Sequence, residues 1–365
     1  MNRRSNRGAF RRDGVASVVR SAVALLGFFL VSGCFFPSGN SSATAANGES
    51  ARQDRSASAR SLALADEEAS LAERGWSMVW SDEFTGDRLD RSKWSPEVSC
   101  WGGGNEELQC YTDRESNIQV GNGVLRLVAR PETWTGPDLP QERRANSDEL
   151  RTQDFTSGKI RTRGLADWRY GRFSARMRLP DGQGAWPAFW MMPSEDYYGG
   201  WPLSGEIDIL EAVNLGAACS DCGLQGQENR VQGALHFGSQ WPDNVFLVQK
   251  TNLPDRSRPH DDYHVYSVEW GEGQIDWYVD GVRYFTLTAD DWHSASPLAA
   301  GNEVAPFDRS MYLILNLAVG GRLSVQNNAG GVDPQAFPAE LLVDWVRVYR
   351  CDGDPERGRR CMSNE

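Results

Sequence analysis

Residues 171–179 read GRFSARMRL, and apolar side chains alternate with polar ones along the whole segment. This period of two places successive side chains on opposite faces, which is typical of a β-strand with one buried face. The same alternation recurs at 124–129 (VLRLVA) and 266–270 (YSVEW). At 279–282 (VDGV), Asp-Gly between strand residues indicates a hairpin. The pattern predicts an all-β domain, a sandwich or barrel of many short strands.

The amino terminus has the features of an export signal. Six arginines and one aspartate lie in the first twenty residues, and residues 22–31 (AVALLGFFLV) carry no charge. Ten apolar residues are too few to span a bilayer as a helix, which takes about 20, so they match the apolar region of a secretion signal. Residues 31–34 (VSGC) resemble the lipobox of bacterial lipoproteins, which predicts cleavage before Cys34 and acylation of its thiol. An ordinary signal peptide with a chance cysteine is the alternative.

The composition changes at Trp76, because all fourteen tryptophans lie from there onward, whereas residues 35–74 are rich in Ser, Ala, Asn and Arg. A segment so poor in aromatic residues cannot bury enough surface to fold, so we expect a flexible tether with a short helix near its end. The predicted organisation is a lipoprotein signal peptide at 1–33, a tether at 34–75, a folded domain at 76–351 and a tail at 352–365.

The charge balance limits the class of ligand. Removing the signal peptide takes away six arginines and Asp13, a net charge of +5, so the formal charge changes from −12 to −17. Such a surface repels polyanions, which argues against nucleic acid and favours a neutral partner. We expect a monomer that touches a membrane only through its lipid. Phe35, rather than an aspartate, follows the acylated cysteine, which favours the bacterial outer membrane or cell surface.

Six of the seven cysteines form three close pairs in the sequence. An even number of locally spaced cysteines in an exported chain predicts disulfides that pin loops. The Cys-x-x-Cys pair could instead be half of a zinc site, although a second such pair and a nearby histidine pair are missing from the sequence. The predicted pairs are Cys100 with Cys110, Cys219 with Cys222, and Cys351 with Cys361.

Residues 205–212 (GEIDILEA) place three carboxylates in a segment that otherwise reads as a buried strand. In a regular strand Glu206 and Asp208 share a face, whereas Glu211 points to the opposite side. All three can face one cleft only if a β-bulge absorbs one extra residue between Asp208 and Glu211. With that bulge, two carboxyl groups about 5 to 5.5 Å apart would suit a retaining glycoside hydrolase. The alternative is an edge strand with three solvated surface charges.

This segment resembles the catalytic signature of glycoside hydrolase family 16, in the form found in laminarinase-like β-glucanases. Eight further motifs resemble that family in the same order along the chain. They are 80–84 (WSDEF), 105–109 (NEELQ) with 111–112 (YT), 170–173 (YGRF), 186–191 (WPAFWM), 235–238 (LHFG), 277–281 (WYVDG), 316–321 (NLAVGG) and 343–349 (VDWVRVY).

The resemblance implies a fold and a set of roles. The fold would be a concanavalin A-like β-jelly roll of two curved antiparallel sheets, with the substrate lying across one of them. Glu206 would be the nucleophile, Asp208 its helper, and Glu211 the general acid and then base. His236 would lie beside this acid machinery, although a lone histidine is more often structural.

Sugar binding needs flat apolar surfaces for the C–H faces of pyranose rings and polar groups for their hydroxyls. The candidates for substrate binding are Asn105, Trp186, Trp190, Trp201 and His236. Core packing is the alternative for each tryptophan, and Trp94, Trp270, Trp277 and Trp345 lie in patterns that indicate core.

The resemblance implies no catalytic cofactor. It does imply a structural calcium site, far from the chemistry, with the carboxylates of Glu83 and Asp344 and the carbonyl of Gly123 as oxygen ligands. Asp344 could instead cap a surface turn.

The leading hypothesis is a retaining endo-β-1,3-glucanase with a polysaccharide substrate. A hydrolase of agarose or mixed-linkage glucan, a transglycosylase, and a non-catalytic glycan-binding module of the same fold are the alternatives. Two departures from the family pattern affect the predicted linkage preference. Asn105 is followed by Glu106 instead of a second asparagine, and residues 217–228 resemble an insertion after the catalytic strand.

Overall fold

The computed structural model describes residues 67–144, 147–220, 222, 224, 226–326 and 330–362. Within these residues the chain forms seventeen β-strands and two short α-helices, α1 at 67–73 and α2 at Gly321–Gln326. The strands are β1 (Trp76–Asp82), β2 (Ser95–Pro96), β3 (Gln109–Tyr111), β4 (Ile118–Gly121), β5 (Val124–Pro137), β6 (Leu150–Ser157), β7 (Lys159–Arg161), β8 (Gly171–Arg178), β9 (Ala185–Pro193), β10 (Glu206–Glu211), β11 (Val231–Gly238), β12 (Asn244–Thr251), β13 (His264–Gly271), β14 (Gln274–Val279), β15 (Val282–Thr288), β16 (Met311–Val319) and β17 (Ala339–Cys351).

The strands form two sheets that pack face to face. The ten-stranded sheet has the order β15-β14-β13-β8-β17-β5-β6-β3, with β1 paired to β17 and β4 to β5. The seven-stranded sheet has the order β12-β11-β10-β9-β16-β7-β2. The predicted all-β jelly roll is therefore confirmed. One detail differs from the antiparallel prediction, because β3 pairs with β6 in parallel.

The alternation in the sequence explains which side chains meet between the sheets. From β8, the apolar residues Phe173, Ala175 and Met177 are fully buried in the main hydrophobic core. From the seven-stranded sheet, Phe189 and Met191 of β9 enter the same core. Each sheet therefore contributes one apolar face to the interior and leaves its other face, called here its outer face, for charged groups or solvent.

The three predicted disulfides are present, Cys100–Cys110, Cys219–Cys222 and Cys351–Cys361. The predicted core tryptophans Trp94, Trp270, Trp277 and Trp345 are all buried. A helix is present where the tether was expected to end, at 67–73, and its Leu71 packs against Trp76 and Cys361.

The predicted signal peptide, Cys34 and most of the tether lie outside the described residues. Within the described part of the chain, no helix combines the length and the hydrophobicity that crossing a bilayer requires.

Candidate active site

Strand β10, which lies between β11 and β9 in the seven-stranded sheet, carries the predicted bulge. On its β11 side, Asp208 pairs with Ala234 but Glu211 pairs with Gln232, so three residues of β10 face two of β11. On its β9 side the register shifts between Asp208 and Leu210. One extra residue is therefore accommodated at the position where the parity of the carboxylates required it, which confirms the predicted bulge.

The bulge leaves a backbone carbonyl that a core tryptophan satisfies. The indole N–H of Trp277, on β14 of the opposite sheet, donates to the Asp208 carbonyl oxygen at 2.8 Å. A buried carbonyl without a partner would be costly, so this bond stabilises the irregular strand. Gly233 makes the approach possible, because a Cβ atom there would lie 2.3 Å from the Trp277 ring.

Two tryptophans hold the two glutamates at opposite ends of β10. The indole N–H of Trp201 donates to Glu206 Oε2. The indole N–H of Trp186 donates to Glu211 Oε1 at 3.0 Å, and Gln232 Nε2 donates to Glu211 Oε2 at 2.9 Å. Both carboxylates are thus oriented by neutral donors, which fix their direction without adding a positive charge.

Asp208 lies between the glutamates and faces His236. His236 Nε2 is 3.3 Å from Asp208 Oδ2. One carboxylate oxygen each from Glu206 and Asp208 and one imidazole nitrogen from His236 all lie within 4.8 Å of one another. His236 pairs with Glu206 across β10 and β11, so the imidazole stands on the outer face with the three carboxylates. The acids predicted to converge therefore share one face of the sheet and one histidine.

Burial and like charge make this cluster retain protons. The pKa of Asp208 is raised well above its usual value by burial and by the charges of Glu206 and Glu211. The pKa of Glu211 is raised mainly by burial, with a further contribution from Glu206. Burial alone would lower the pKa of His236, but the three carboxylates raise it to about 10. At neutral pH His236 is protonated, and Glu211 is better able to hold a proton than in water.

Trp190 lies on β9 beside β10, where it pairs with Asp208. Its indole N–H donates to Asn316 Oδ1 at 2.6 Å, and Asn316 Nδ2 donates to the Tyr111 hydroxyl at 3.1 Å. The Lys159 ammonium group lies 5.0 Å from the centre of the Trp190 ring. The ring is half-buried and held in place, as a sugar-binding surface on the floor of a cleft would be.

Asn105 lies in a loop that packs beside Trp186. Its side-chain amide donates to Glu107 Oε1 at 3.2 Å, and Gln109 donates to the other oxygen of Glu107 at 2.7 Å. Burial raises the pKa of the Glu107 carboxyl. A Cβ atom at Gly321 would contact Glu107 and Trp186 at 3.1 and 3.2 Å, so the loop and the tryptophan are neighbours. Asn105 therefore lies near the Glu211 end of the site.

The structure does not support the predicted calcium ligands. Arg347 Nε and Nη2 bind the two oxygens of Glu83 at 2.9 and 2.8 Å, and Arg176 binds Asp344. Gly123 lies in the turn between β4 and β5 with a φ of 73°. Because two guanidinium groups already neutralise both carboxylates, these residues do not form the open oxygen cage that calcium needs.

The contacts of the Cys-x-x-Cys pair do not favour a zinc site. Cys219 and Cys222 are joined, and Cys222 Sγ lies 3.0 Å from Glu228 Oε2 and 2.9 Å from an Arg230 nitrogen. These two cysteines and Glu228 lie close enough to hold a metal ion. A guanidinium in contact with the sulfur disfavours a second positive charge there, so the disulfide is the better interpretation.

The sequence-based prediction missed several residues of the site, namely Gln232, Asn316, Tyr111, Lys159 and Glu107. One signal could have found Gln232, because it lies an even number of residues from His236 on a strand and so faces the same way. The other contacts join strands that are distant in the sequence. Asn316 and Trp190, for example, come together only because β16 pairs with β9.

A sheet face that carries two glutamates, an aspartate between them and half-buried tryptophan rings defines a polysaccharide-cleaving glycoside hydrolase on a jelly roll. Residues 76–351 match the family model described as "Beta-porphyranase A-D, GH16 domain". The chain therefore belongs to glycoside hydrolase family 16, as the sequence motifs predicted. Glycosidases of this family need no cofactor for catalysis.

Individual relatives give a narrower comparison. The chain is 41% identical over 286 residues to glucan endo-1,3-beta-glucosidase A1 of Niallia circulans, which covers 76% of this chain but only 38% of that protein. It is 39% identical over 279 residues to a beta-glucanase of Rhodothermus marinus, covering 75% of this chain and 85% of that one. The solved structure of the laminarinase from Rhodothermus marinus superposes with a TM-score of 0.60 at 38% identity, covering 75% of this chain and 97% of that one.

Proposed function

We propose that this chain is an endo-acting β-1,3-glucan hydrolase that retains the configuration of the sugar it attacks. The observation that carries the proposal is the bulge in β10, which brings Glu206, Asp208 and Glu211 to one face despite their mismatched parity. A regular strand would direct Glu211 into the core instead. The geometry thus serves a pair of acids acting on one glycosidic bond.

The two glutamates have different tasks because their surroundings differ. The raised pKa of Glu211 suits a general acid, which gives its proton to the glycosidic oxygen as that bond breaks. The Glu206 carboxylate forms a bond to the anomeric carbon in the same step. Glu211, now ionised, then takes a proton from water, whose oxygen displaces Glu206 and restores the β configuration. The same covalent intermediate could pass to a sugar hydroxyl, which keeps transglycosylation as a second outcome.

Asp208 and His236 support this exchange of protons. With a raised pKa, Asp208 can remain protonated and donate a hydrogen bond to Glu206. The imidazolium of His236 offsets part of the negative charge of the Glu206 carboxylate. Together they keep one glutamate ionised while the other holds a proton.

The relatives support a glucan as substrate, since they are named glucan endo-1,3-beta-glucosidase, beta-glucanase and laminarinase. The formal charge of −12 also favours a neutral glucan over a sulfated polymer. The description of the matching family model, a beta-porphyranase domain, favours a second candidate, a galactan.

Reducing-sugar release from laminarin, lichenan, agarose and porphyran by the purified chain tests the substrate. We expect the highest kcat/KM on laminarin, with internal cleavage that lowers the polymer length before small products accumulate. Activity confined to agarose or porphyran would overturn the glucan assignment while leaving the family unchanged.

Azide tests the two roles separately. In Glu211→Ala, azide replaces water at the covalent intermediate, so rescued activity should yield a β-glycosyl azide. In Glu206→Ala, azide attacks the substrate directly and should yield an α-glycosyl azide. The reverse pattern, resolved by NMR of the products, would exchange the roles.

We also propose export and lipid anchoring through Cys34, on the strength of the charged amino terminus, the apolar run and the VSGC sequence. Labelling with palmitate should be lost in Cys34→Ala. Release of the wild type as an unlabelled soluble protein would contradict the anchor.

A further inference from the structure

The edge strand β12 carries apolar side chains that the fold does not bury. Phe246 is 59% exposed and Val248 is 40% exposed. They pair with His236 and Ala234 of β11, so both stand on the outer face of the seven-stranded sheet. An exposed aromatic residue on an edge strand is an aggregation liability unless something covers it.

Phe246 is continuous with the catalytic centre. Its ring stacks on the His236 ring, with centroids 5.7 Å apart and an angle of 26° between the planes. His236 in turn lies 5.8 Å from the ring of Trp201, which donates to Glu206. Three rings therefore form a row that begins at the nucleophile and ends at the edge of the sheet.

The distances indicate what this row can bind. Glu206, His236 and Phe246 are direct cross-strand partners on three neighbouring strands. Strands lie about 4.8 Å apart, so Phe246 stands about 10 Å from the catalytic strand, beyond the sugar ring that Glu206 attacks. Trp190 lies on the opposite side of β10. A chain that contacts both rings must cross the strands and pass over the acids.

We propose that Phe246 forms a distal sugar-binding subsite, in which its exposed face stacks on a pyranose ring of the polysaccharide two strands away from the nucleophile. The proposal rests on the proposed function and deepens it, since it makes the enzyme select long chains. The flat, apolar and half-exposed ring suits the C–H face of a sugar, and Val248 widens the apolar surface beside it.

Variants of Phe246 test the subsite by substrate length. The ratio of kcat/KM for a β-1,3-gluco-heptasaccharide to that for the trisaccharide should fall about threefold to tenfold in Phe246→Ala, the range expected for one aromatic contact. Phe246→Tyr should keep the ratio. The same loss should appear in heptasaccharide affinity when Phe246→Ala is combined with Glu206→Gln, measured by calorimetry.

Val245→Ala is the matched control. Val245 directly precedes Phe246 on β12, is 38% exposed and points to the other face. An unchanged ratio in Phe246→Ala, or an equal loss in Val245→Ala, would overturn the subsite. A change of oligomeric state in Phe246→Ala would assign the surface to a second copy of the chain instead. If wild type cleaves no glucan, the proposed function fails, and the same comparison with fragments of whichever polysaccharide is cleaved still decides the subsite.

Discussion

Two clusters of buried charge, one on each sheet, differ in how their charges are balanced. On the outer face of the ten-stranded sheet, the fully buried Glu269 accepts hydrogen bonds from Arg172 at 2.8 Å and Arg74 at 2.6 Å. On the seven-stranded sheet, Glu211 accepts hydrogen bonds from the neutral side chains of Trp186 and Gln232, and Asp208 faces the imidazole of His236. In the first cluster the carboxylate is paired with positive charges. In the second, the pKa values of the two carboxyl groups are raised.

The difference separates a structural role from a chemical one. A buried carboxylate paired with two guanidinium groups has its charge compensated, so its role is to hold strands in position. Carboxylates buried beside like charges have raised pKa values, so they hold a proton more readily than carboxylates in water. Burial of charge alone therefore does not identify an active site, whereas burial with incomplete compensation does.

The largest effect is expected when Glu211 is replaced by a neutral residue. Glu211→Gln should lower kcat by about 100-fold to 10,000-fold, because the leaving oxygen loses its proton donor. Its raised pKa means that the ionised form is disfavoured in the folded state, so the neutral amide should leave the free energy of unfolding unchanged or increased. Initial rates on laminarin and urea unfolding measure the two effects. A variant that is less stable yet active would assign Glu211 to the structural class.

In the cluster around Glu269, we expect a loss of stability without a loss of activity. Glu269→Gln leaves the buried Arg172 with an incompletely compensated charge, which should cost about 3 to 5 kcal/mol of unfolding free energy. The kcat of the folded fraction should not change. Glu67→Gln is the matched control, since Glu67 binds the same arginine from the more exposed helix α1 and should cost about 1 kcal/mol or less. Equal losses of unfolding free energy in both variants would mean that burial of the carboxylate does not determine the cost of removing its charge.

The smallest expected effect is a shift in the pH dependence of kcat/KM. The amide of Gln232 donates to Glu211 and thereby lowers its pKa, against the upward effect of burial. Gln232→Leu should therefore raise the pKa of Glu211 further and move the alkaline limb of the kcat/KM profile to higher pH, by about one unit or less. The acid limb should move less. A shift of the alkaline limb to lower pH would contradict this account.

The sequence predicted the fold and the bulge in the acidic strand β10 because both depend on local patterns. The period of two identified β8, and the odd spacing of Glu206 and Glu211 required a bulge that the structure contains. Local spacing was also enough to pair the six cysteines, since each pair closes a short loop.

Other features depend on which distant strands meet. The sequence does not reveal that Arg347 lies beside Glu83, a residue 264 positions away, so the calcium prediction could not foresee an arginine in the place of a cation. It also does not show that β12 is an edge strand, which is why Phe246 was not among the predicted sugar-binding residues. Exposure is decided by the order of strands in the sheet, and that order is a property of the whole chain.

The bond from Trp277 to the Asp208 carbonyl crosses the interior from one sheet to the other. Trp277 has no exposed surface and so cannot touch a sugar, yet it stabilises the irregular step that sets the spacing of the acids. Surveys that rank positions by their distance from bound substrate would overlook it. Engineering that repacks the interior for heat resistance should therefore leave this tryptophan and the facing Gly233 unchanged, or activity will be lost along with a contact that no ligand makes.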